Sequence, residues 1–588
     1  MKYKIAPMKI TKRPKHNIWN VEELKNEKTR QEFQNKVYNR LIAAGIDPSW
    51  DEVISNIRQS AVESIGFRKL NPRKPWITNE IMDLIKYRNK LKKTDDAMYR
   101  IVKNRITQKC RDEKEKWMDL TCENIKINTT ANRMDKAYGI IKKLSRLLKP
   151  RSKIVKDRNG KLILEEGEIT TRCKEYIEDL YKGLKGEDDM NIENITESNK
   201  EDVGPIITKD EFVKALRELK QGKAAGVDNI PAELLKNVGK NTEHKLYEMT
   251  EKMYRDGNIP KDFAKSKIVL IPKKGNSTEC NNYRTISLLT HASKILLIII
   301  KNRIQMKIEK ELDKDQFGFR QGIGIREEIL AIRVLTERRL NVNRNTFITF
   351  IDLEKAFDTV NWALLMSSMM KTRIDWRDRR IIMLLYKEQE TLIEVEEHST
   401  TAKIKRGIRQ GCSLSPYLFN IFVEEIMDKY KRNSNGTSIN GEKIRCIRFA
   451  DDIALVSESE KDMQKSLTTL TKILQEYQMK INAKKTKTMV VTKAKEIPVV
   501  KVEVNNHLIE QVQQFKNLGS TITSDGKCSI EIRQRIAMAK RAFTQKRQLL
   551  TNKKLNINMR KNFVKCYVWS VLLYLVKHGL LMDKTKRS

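Results

Sequence analysis

Two short runs set the strictest condition on how this chain folds. In RFADDIAL, Arg448 to Leu455, Asp451 and Asp452 stand side by side inside an apolar stretch. In TFITFIDLEKAFDTV, Thr346 to Val360, Asp352 closes a β-rich segment and Asp358 follows in the same run. A carboxylic acid in water ionises near pH ~3.9, so these acids are charged at neutral pH. Burying an unpaired charge costs several kcal/mol, and adjacent like charges repel. Each strand must therefore end where something neutralises its acids. Alternation puts Phe347, Thr349 and Ile351 on one face and Ile348, Phe350 and Asp352 on the other. A tight hairpin turn suits the double aspartate, since a straight strand points neighbours to opposite faces. If Asp352 and Asp451 project to one point, a Mg²⁺ ion with retained waters and substrate phosphates balances them. Two ions ~3.5–4 Å apart would then activate an attacking 3′-oxygen and stabilise a leaving pyrophosphate. Taken singly, FADD also reads as a turn with Asp side chains bonding the backbone, and DLEKAFD as a helix cap with a surface charge.

Other segments supply context. RGIRQGCSLSPYLFNIFVEEI, Arg406 to Ile426, lies between the two acidic runs. Ser415 as N-cap and Pro416 in the first turn predict a helix start, and Leu418, Phe419, Phe422, Val423 and Ile426 form its apolar face. Gly411, after Gln410, permits a close backbone approach to a ligand. Asn159-Gly160 predicts a hairpin. Thr208 and Glu211 form a capping box ahead of Phe212, Leu216 and Leu219, with Gly222 expected to end that helix. Thr78 is a candidate N-cap, and Ser266 to Lys274 reads as a strand entering a basic turn.

Composition narrows the class of partner. Across 588 residues, 117 Lys and Arg against 76 Asp and Glu leave a formal charge of +41. That excess points to a polyanion, either nucleic acid or an acidic membrane surface. ILLIII, Ile295 to Ile300, and YVWSVLLYLV, Tyr567 to Val576, fall short of the ~20 residues a spanning helix needs. The first residues lack the apolar block of a secretory signal. The eight cysteines include no C-x-x-C pair, which argues against a disulfide framework and for buried thiols in a reducing compartment.

Taken in order, FIDLEKAFD, RQGCSLSP and FADD resemble the core of reverse transcriptases, most closely those of non-LTR (LINE-like) retrotransposons. KAAGVDNIPAELLK, IPKKGNSTECNNYRTISLL, QFGFRQG and QMKINAKKTK resemble that family in the same order, from about Trp76 to about Tyr574. The resemblance implies an α+β right-hand polymerase of fingers, palm and thumb, with an antiparallel palm sheet and a basic helical N-terminal extension. It divides the chain into a basic helical linker region (1–150), a hairpin with an acidic linker (151–205), fingers and palm (206–510), and primer grip with a truncated thumb (511–588). By the same likeness, Asp352, Asp451 and Asp452 hold two Mg²⁺ ions, with Mn²⁺ an alternative. Lys273, Lys274 and Arg284 bind the triphosphate of a dNTP, and Lys485 lies near the leaving pyrophosphate. Phe357 crowds the sugar 2′ position, Gln410 and Gly411 line the nucleotide and template base, and Leu518 and Gly519 approach the primer. The implied partners are an RNA template and a DNA primer, with no membrane; a basic KRPK run, Lys12 to Lys15, fits a nuclear as well as a cytoplasmic location. Departures are Thr285 in place of the usual proline, and Ile325 and Glu328 in place of threonine and alanine. With no endonuclease domain recognised, the likeness is to a truncated element copy, and a non-catalytic nucleic-acid-binding remnant is the alternative. A two-metal nuclease shares the carboxylate logic but leaves Phe357 and the RQG run unexplained.

Overall fold

The computed structural model describes residues 18–45, 47–68, 74–92, 95–130, 139–140, 154–183, 203–273, 278–551 and 557–574. The described chain forms two compact units, one from residues 1–68 and 152–527, the other from 69–151 and 528–588. The first 150 residues are thus shared between the two units.

The larger unit is α+β, built around two sheets. In the first, Thr346–Ile351 lies at the centre of a five-stranded sheet. On one side it pairs antiparallel with Asp452–Ser457, which turns back onto Cys446–Phe449; on the other it pairs antiparallel with Lys487–Val491. Only the short edge strand Glu510–Gln511 runs parallel to its neighbour. Residues of a central strand face helices on both sides, and Thr346, Ile348, Thr349, Phe350 and Ile351 are all buried. The second sheet has the order Tyr283–Leu289, Lys265–Pro272, Glu390–Val395, His398–Lys403.

Helices close both sheets. The run Ile295 to Ile300 lies within His291–Glu311 and all six residues are buried, so it is a core helix. Among the described residues, no helix is long and apolar enough to cross a membrane. The Thr208–Glu211 capping box forms, and the helix it starts ends at Glu218, before Gly222. Thr78 caps Asn79–Leu91 through Ile81 N. The Asn159-Gly160 turn joins Val155–Lys156 to Leu162–Ile163, with Gly160 at φ +86°. After it comes Glu166–Leu180, a helix the sequence reading passed over, whose Ile169, Cys173, Tyr176, Ile177 and Leu180 are buried. Near the N-terminus, Trp19 Nε1 and Arg58 donate to the backbone carbonyls of Asn229 and Asp228, tying 18–68 to the GVDNIP loop.

The smaller unit is helical. Its long helix Asp96–Thr130 places Cys122 and Ile125 in one apolar cluster with Leu550 and Phe563, so segments far apart in sequence share a core. A second cluster joins Ile81, Val102 and Ile106. All eight cysteines are free thiols, and six of them are buried.

Candidate active site

Sheet register gathers the acids. Phe449 lies opposite Asp452, leaving Ala450 and Asp451 as a two-residue turn, with Ala450 at φ +58°. Ile453 lies opposite Ile351, so the next step of that ladder puts Asp452 beside Asp352. On the other flank Lys487 lies opposite Phe350, which brings Lys485 to Asp352. Lys485 Nζ is 3.4 Å from Asp352 Oδ2. The Asp352 backbone is pinned as well, its N–H donating to Thr486 Oγ1 at 3.3 Å and its carbonyl accepting from Asn482 N at 2.8 Å.

The electrostatics match crowded carboxylates. Burial raises the Asp451 pKa and Asp352 adds to the rise, while its own backbone N–H and Arg284 oppose it. Burial, then Asp451 and Asp352, push Asp452 up to about 6. Among the described residues, neither Asp451 nor Asp452 forms an ion pair. Asp352, Asp451 and Asp452 bring hard oxygen donors to one end of the sheet with one exposed lysine to balance them, a chemistry that fits Mg²⁺ or Mn²⁺.

The hairpin is held from behind by groups the sequence reading did not single out. Arg448 is fully buried and pairs with Asp315 and, at 3.0 Å, with Glu424 Oε1. Lys431 Nζ lies 3.0 Å from Asp315 and 3.5 Å from Glu424, and also pairs with Asp313. Ligand atoms of Asp313, Asp315 and Glu424 lie within 4.8 Å of one another. Two cations already occupy that cluster. Burial works against ionised Asp315, but Arg448 and Lys431 outweigh it and hold the acid below its usual range. This is an ion-pair knot, and the acids short of a cation are those at the sheet end. Beside it, buried Gln316 accepts from Gly318 N at 2.7 Å and Ala450 N at 3.0 Å through one side-chain oxygen. A Cβ on Gly318 would lie 2.4 Å from Ala450 N, so the QFG segment packs backbone to backbone against the turn.

The cationic side comes from the second sheet. Burial lowers the Lys273 pKa, the charges of Lys485 and Arg284 lower it further, and those of Asp358 and Asp352 oppose them. Lys274 lies outside the described residues. The Gln410 carbonyl accepts from Ser287 N at 2.8 Å. Gly411 follows at φ +104°, and a Cβ there would lie 3.2 Å from Ser287 O, so glycine suits the position twice over. Phe357 stacks on Phe419 at 4.3 Å, and the exposed ring of Phe319 meets it edge-on at 6.3 Å. Leu518 and Gly519 form the turn between Gln514–Asn517 and Ser520–Thr523, both with positive φ. Phe515 stacks on Phe350 at 4.2 Å and fixes that hairpin to the central strand. Ser415 is the first residue of its helix, not the cap, and its hydroxyl donates to Arg409 O at 2.7 Å. A buried carbonyl within reach outcompetes the capping role.

Buried Asp358 was visible in the sequence, but its partners were not. Gln410 Nε2 and the Tyr181 hydroxyl both donate to its Oδ1, at 3.0 and 2.9 Å. Tyr181 comes from the end of the overlooked helix. The one hint in the sequence was the apolar spacing of Ile169, Cys173, Tyr176, Ile177 and Leu180.

Residues 271–522 match the family model described as reverse transcriptase (RNA-dependent DNA polymerase). The chain is 29% identical over 287 residues to the Pol polyprotein of the type-1 retrotransposable element R2 from Nasonia vitripennis, covering 47% of this chain and 28% of that protein. It is 22% identical over 565 residues to the RNA-directed DNA polymerase from mobile element jockey of Drosophila funebris, covering 90% of this chain and 60% of the relative. The chain thus spans less than two thirds of the length of these relatives. Among solved structures, apo telomerase from Candida tropicalis aligns with a TM-score of 0.36 at 14% identity, over 59% of this chain and 66% of that one. With its motifs, register and relatives taken together, this chain carries a reverse transcriptase domain at residues 271–522, of the kind found in non-LTR retrotransposons.

Proposed function

We propose that the protein is an RNA-directed DNA polymerase that extends a primer 3′-OH with dNTPs in the replication of a retrotransposon. The observation that carries this reading is the register that brings Asp352 and Asp452 side by side, with Asp451 in the adjoining turn. Asp352, Asp451 and Asp452 hold two Mg²⁺ ions, or Mn²⁺. When bound, the metal supplies charge neutralisation at the attacking 3′-oxygen and the leaving pyrophosphate. The chain does the rest by positioning. Arg284 grips phosphate oxygens in pairs while Lys273 acts as a point charge on the triphosphate. Lys485, on the opposite flank of Asp352, stands ready for the pyrophosphate. Phe357, held flat by Phe419, crowds the sugar 2′ side and favours deoxynucleotides. Gln410 and Gly411 line the base and sugar, and the Leu518-Gly519 turn carries the primer. The template is RNA and the primer DNA, in the nucleus or the cytoplasm.

A non-catalytic binding remnant has no use for three acids held together against their own repulsion, and basic surface alone would serve it. The test is dNTP incorporation on an RNA template with a DNA primer and Mg²⁺. The parent extends the primer, and Asp451→Ala stops extension while leaving template binding intact. An alanine variant that extends as fast as the parent overturns the reading.

A further inference from the structure

Gln410 is held at both ends of its residue. Its backbone is fixed by Ser287, and its side-chain Nε2 donates to Asp358 Oδ1 at 3.0 Å. The same oxygen accepts from the Tyr181 hydroxyl at 2.9 Å. Tyr181 has a single hydroxyl proton, and the hydrogen bond it makes goes to Asp358. The 2.9 Å contact between Tyr181 and Thr285 Oγ1 is therefore donated by Thr285. The chain of bonds runs from Thr285 to Tyr181 to Asp358, and Gln410 joins from the far side. Thr285, Tyr181 and Asp358 are 2%, 4% and 6% exposed, so water does not compete for these bonds.

The polarity of this chain has a consequence. An ionised carboxylate only accepts, so it takes the amide by its nitrogen and turns the carbonyl oxygen away. Burial pushes Asp358 up to about 6, against the pull of Tyr181, Lys355, Gln410 and Lys273, so the acid is ionised at pH 8. Gln410 Oε1 accepts no hydrogen bond among the described residues and is not fully buried.

We propose that Thr285, Tyr181 and Asp358 are positioning residues that lock the Gln410 amide with its carbonyl oxygen presented to the incoming nucleotide, so that this wall of the site recognises a hydrogen-bond donor on the substrate. This rests on the polymerase reading above. None of the three touches the substrate; they act through Gln410.

The test measures dNTP KM and kcat at pH 8 for the parent, Thr285→Val, Tyr181→Phe, Gln410→Met and the Tyr181→Phe/Gln410→Met double variant. dNTP affinity is measured alongside, with Ca²⁺ replacing Mg²⁺ so that no turnover occurs. Tyr181→Phe raises KM and weakens dNTP binding on the order of tenfold, with kcat changed by less than about threefold. Thr285→Val moves KM the same way by less, and serves if the tyrosine variant does not fold. In the Gln410→Met background, Tyr181→Phe adds nothing further, because the amide it orients is gone. An unchanged KM in both single variants, or an equal rise with and without the Gln410 amide, overturns the inference. A parent that binds and incorporates dNTP under such a result keeps the polymerase reading. A parent that does neither brings both down.

Discussion

At the scale of the residue, the decisive contrast is between two groups of acids. Asp315 and Glu424 are compensated by Arg448 and Lys431, whereas Asp451 and Asp452 form no ion pair among the described residues. The first group is structural. Replacing Arg448 with methionine leaves Lys431 as the one cation for two carboxylates behind the hairpin, and breaking a buried pair this way costs about 3–5 kcal/mol. Arg448→Met is expected to lower the unfolding free energy read from urea melts by that amount; a change below about 1 kcal/mol, the range of surface pairs, would show that the knot contributes nothing beyond a surface pair. The individual acids were legible because charge inside an apolar run is costly and so conspicuous. Arg448, one residue ahead of the same FADD run, was not. A lone arginine in a chain with 117 basic residues gives no sign of being buried, since its partners Asp315 and Glu424 are remote in sequence.

At the scale of the element, strands and caps set by neighbouring residues were readable, and the cap at Ser415 failed because its hydroxyl is taken by the Arg409 carbonyl. The Thr208–Glu211 box, the Asn159-Gly160 turn and the acid-tipped strand all form where their spacing implied. Elements whose meaning depends on a distant partner were not readable. Glu328, a departure from the resembled family, lies in Ile325–Asn341 and is 2% exposed. Its Oε1 accepts from Asn517 Nδ2 at 2.7 Å, which links this helix to the strand leading into the Leu518-Gly519 turn. Burial, with Asp452 adding to it, raises Glu328 to about 7, and the Asn517 bond only partly opposes that. The sign follows from linkage. An acid whose folded-state pKa is raised binds its proton more tightly when folded, so its contribution is intact below the ordinary value of 4.5 and is lost as pH rises through about 7. Glu328→Gln is therefore expected to stabilise the protein at pH 8 by an amount of order 2 kcal/mol, and to change little at pH 4. Denaturant melts at both pH values check this, and an equal effect at both would contradict it.

At the scale of the whole molecule, linear segmentation reaches its limit. The smaller unit is made from residues 69–151 and 528–588, and the cluster of Cys122, Ile125, Leu550 and Phe563 explains why. Cys122 and Ile125 of one segment are covered by Leu550 and Phe563 of the other, and nothing in either one names its partner. Charge acts at this scale too. With a formal charge of +41, binding to nucleic acid should be dominated by counterion release. Affinity for an RNA–DNA duplex is expected to fall on the order of 10³-fold or more between 50 and 200 mM salt, whatever the sequence. A flat salt titration would assign the excess charge to some other role.

The central claim is that acids from two distant runs share divalent metal at the end of one sheet. Mn²⁺ binding in the presence of a dNTP, followed by electron paramagnetic resonance, tests it without relying on turnover. Tight Mn²⁺ binding is expected in the parent and in Asp313→Asn, and its loss in both Asp352→Asn and Asp451→Asn. Binding that survives both of those changes, or that disappears with Asp313→Asn instead, would contradict the account.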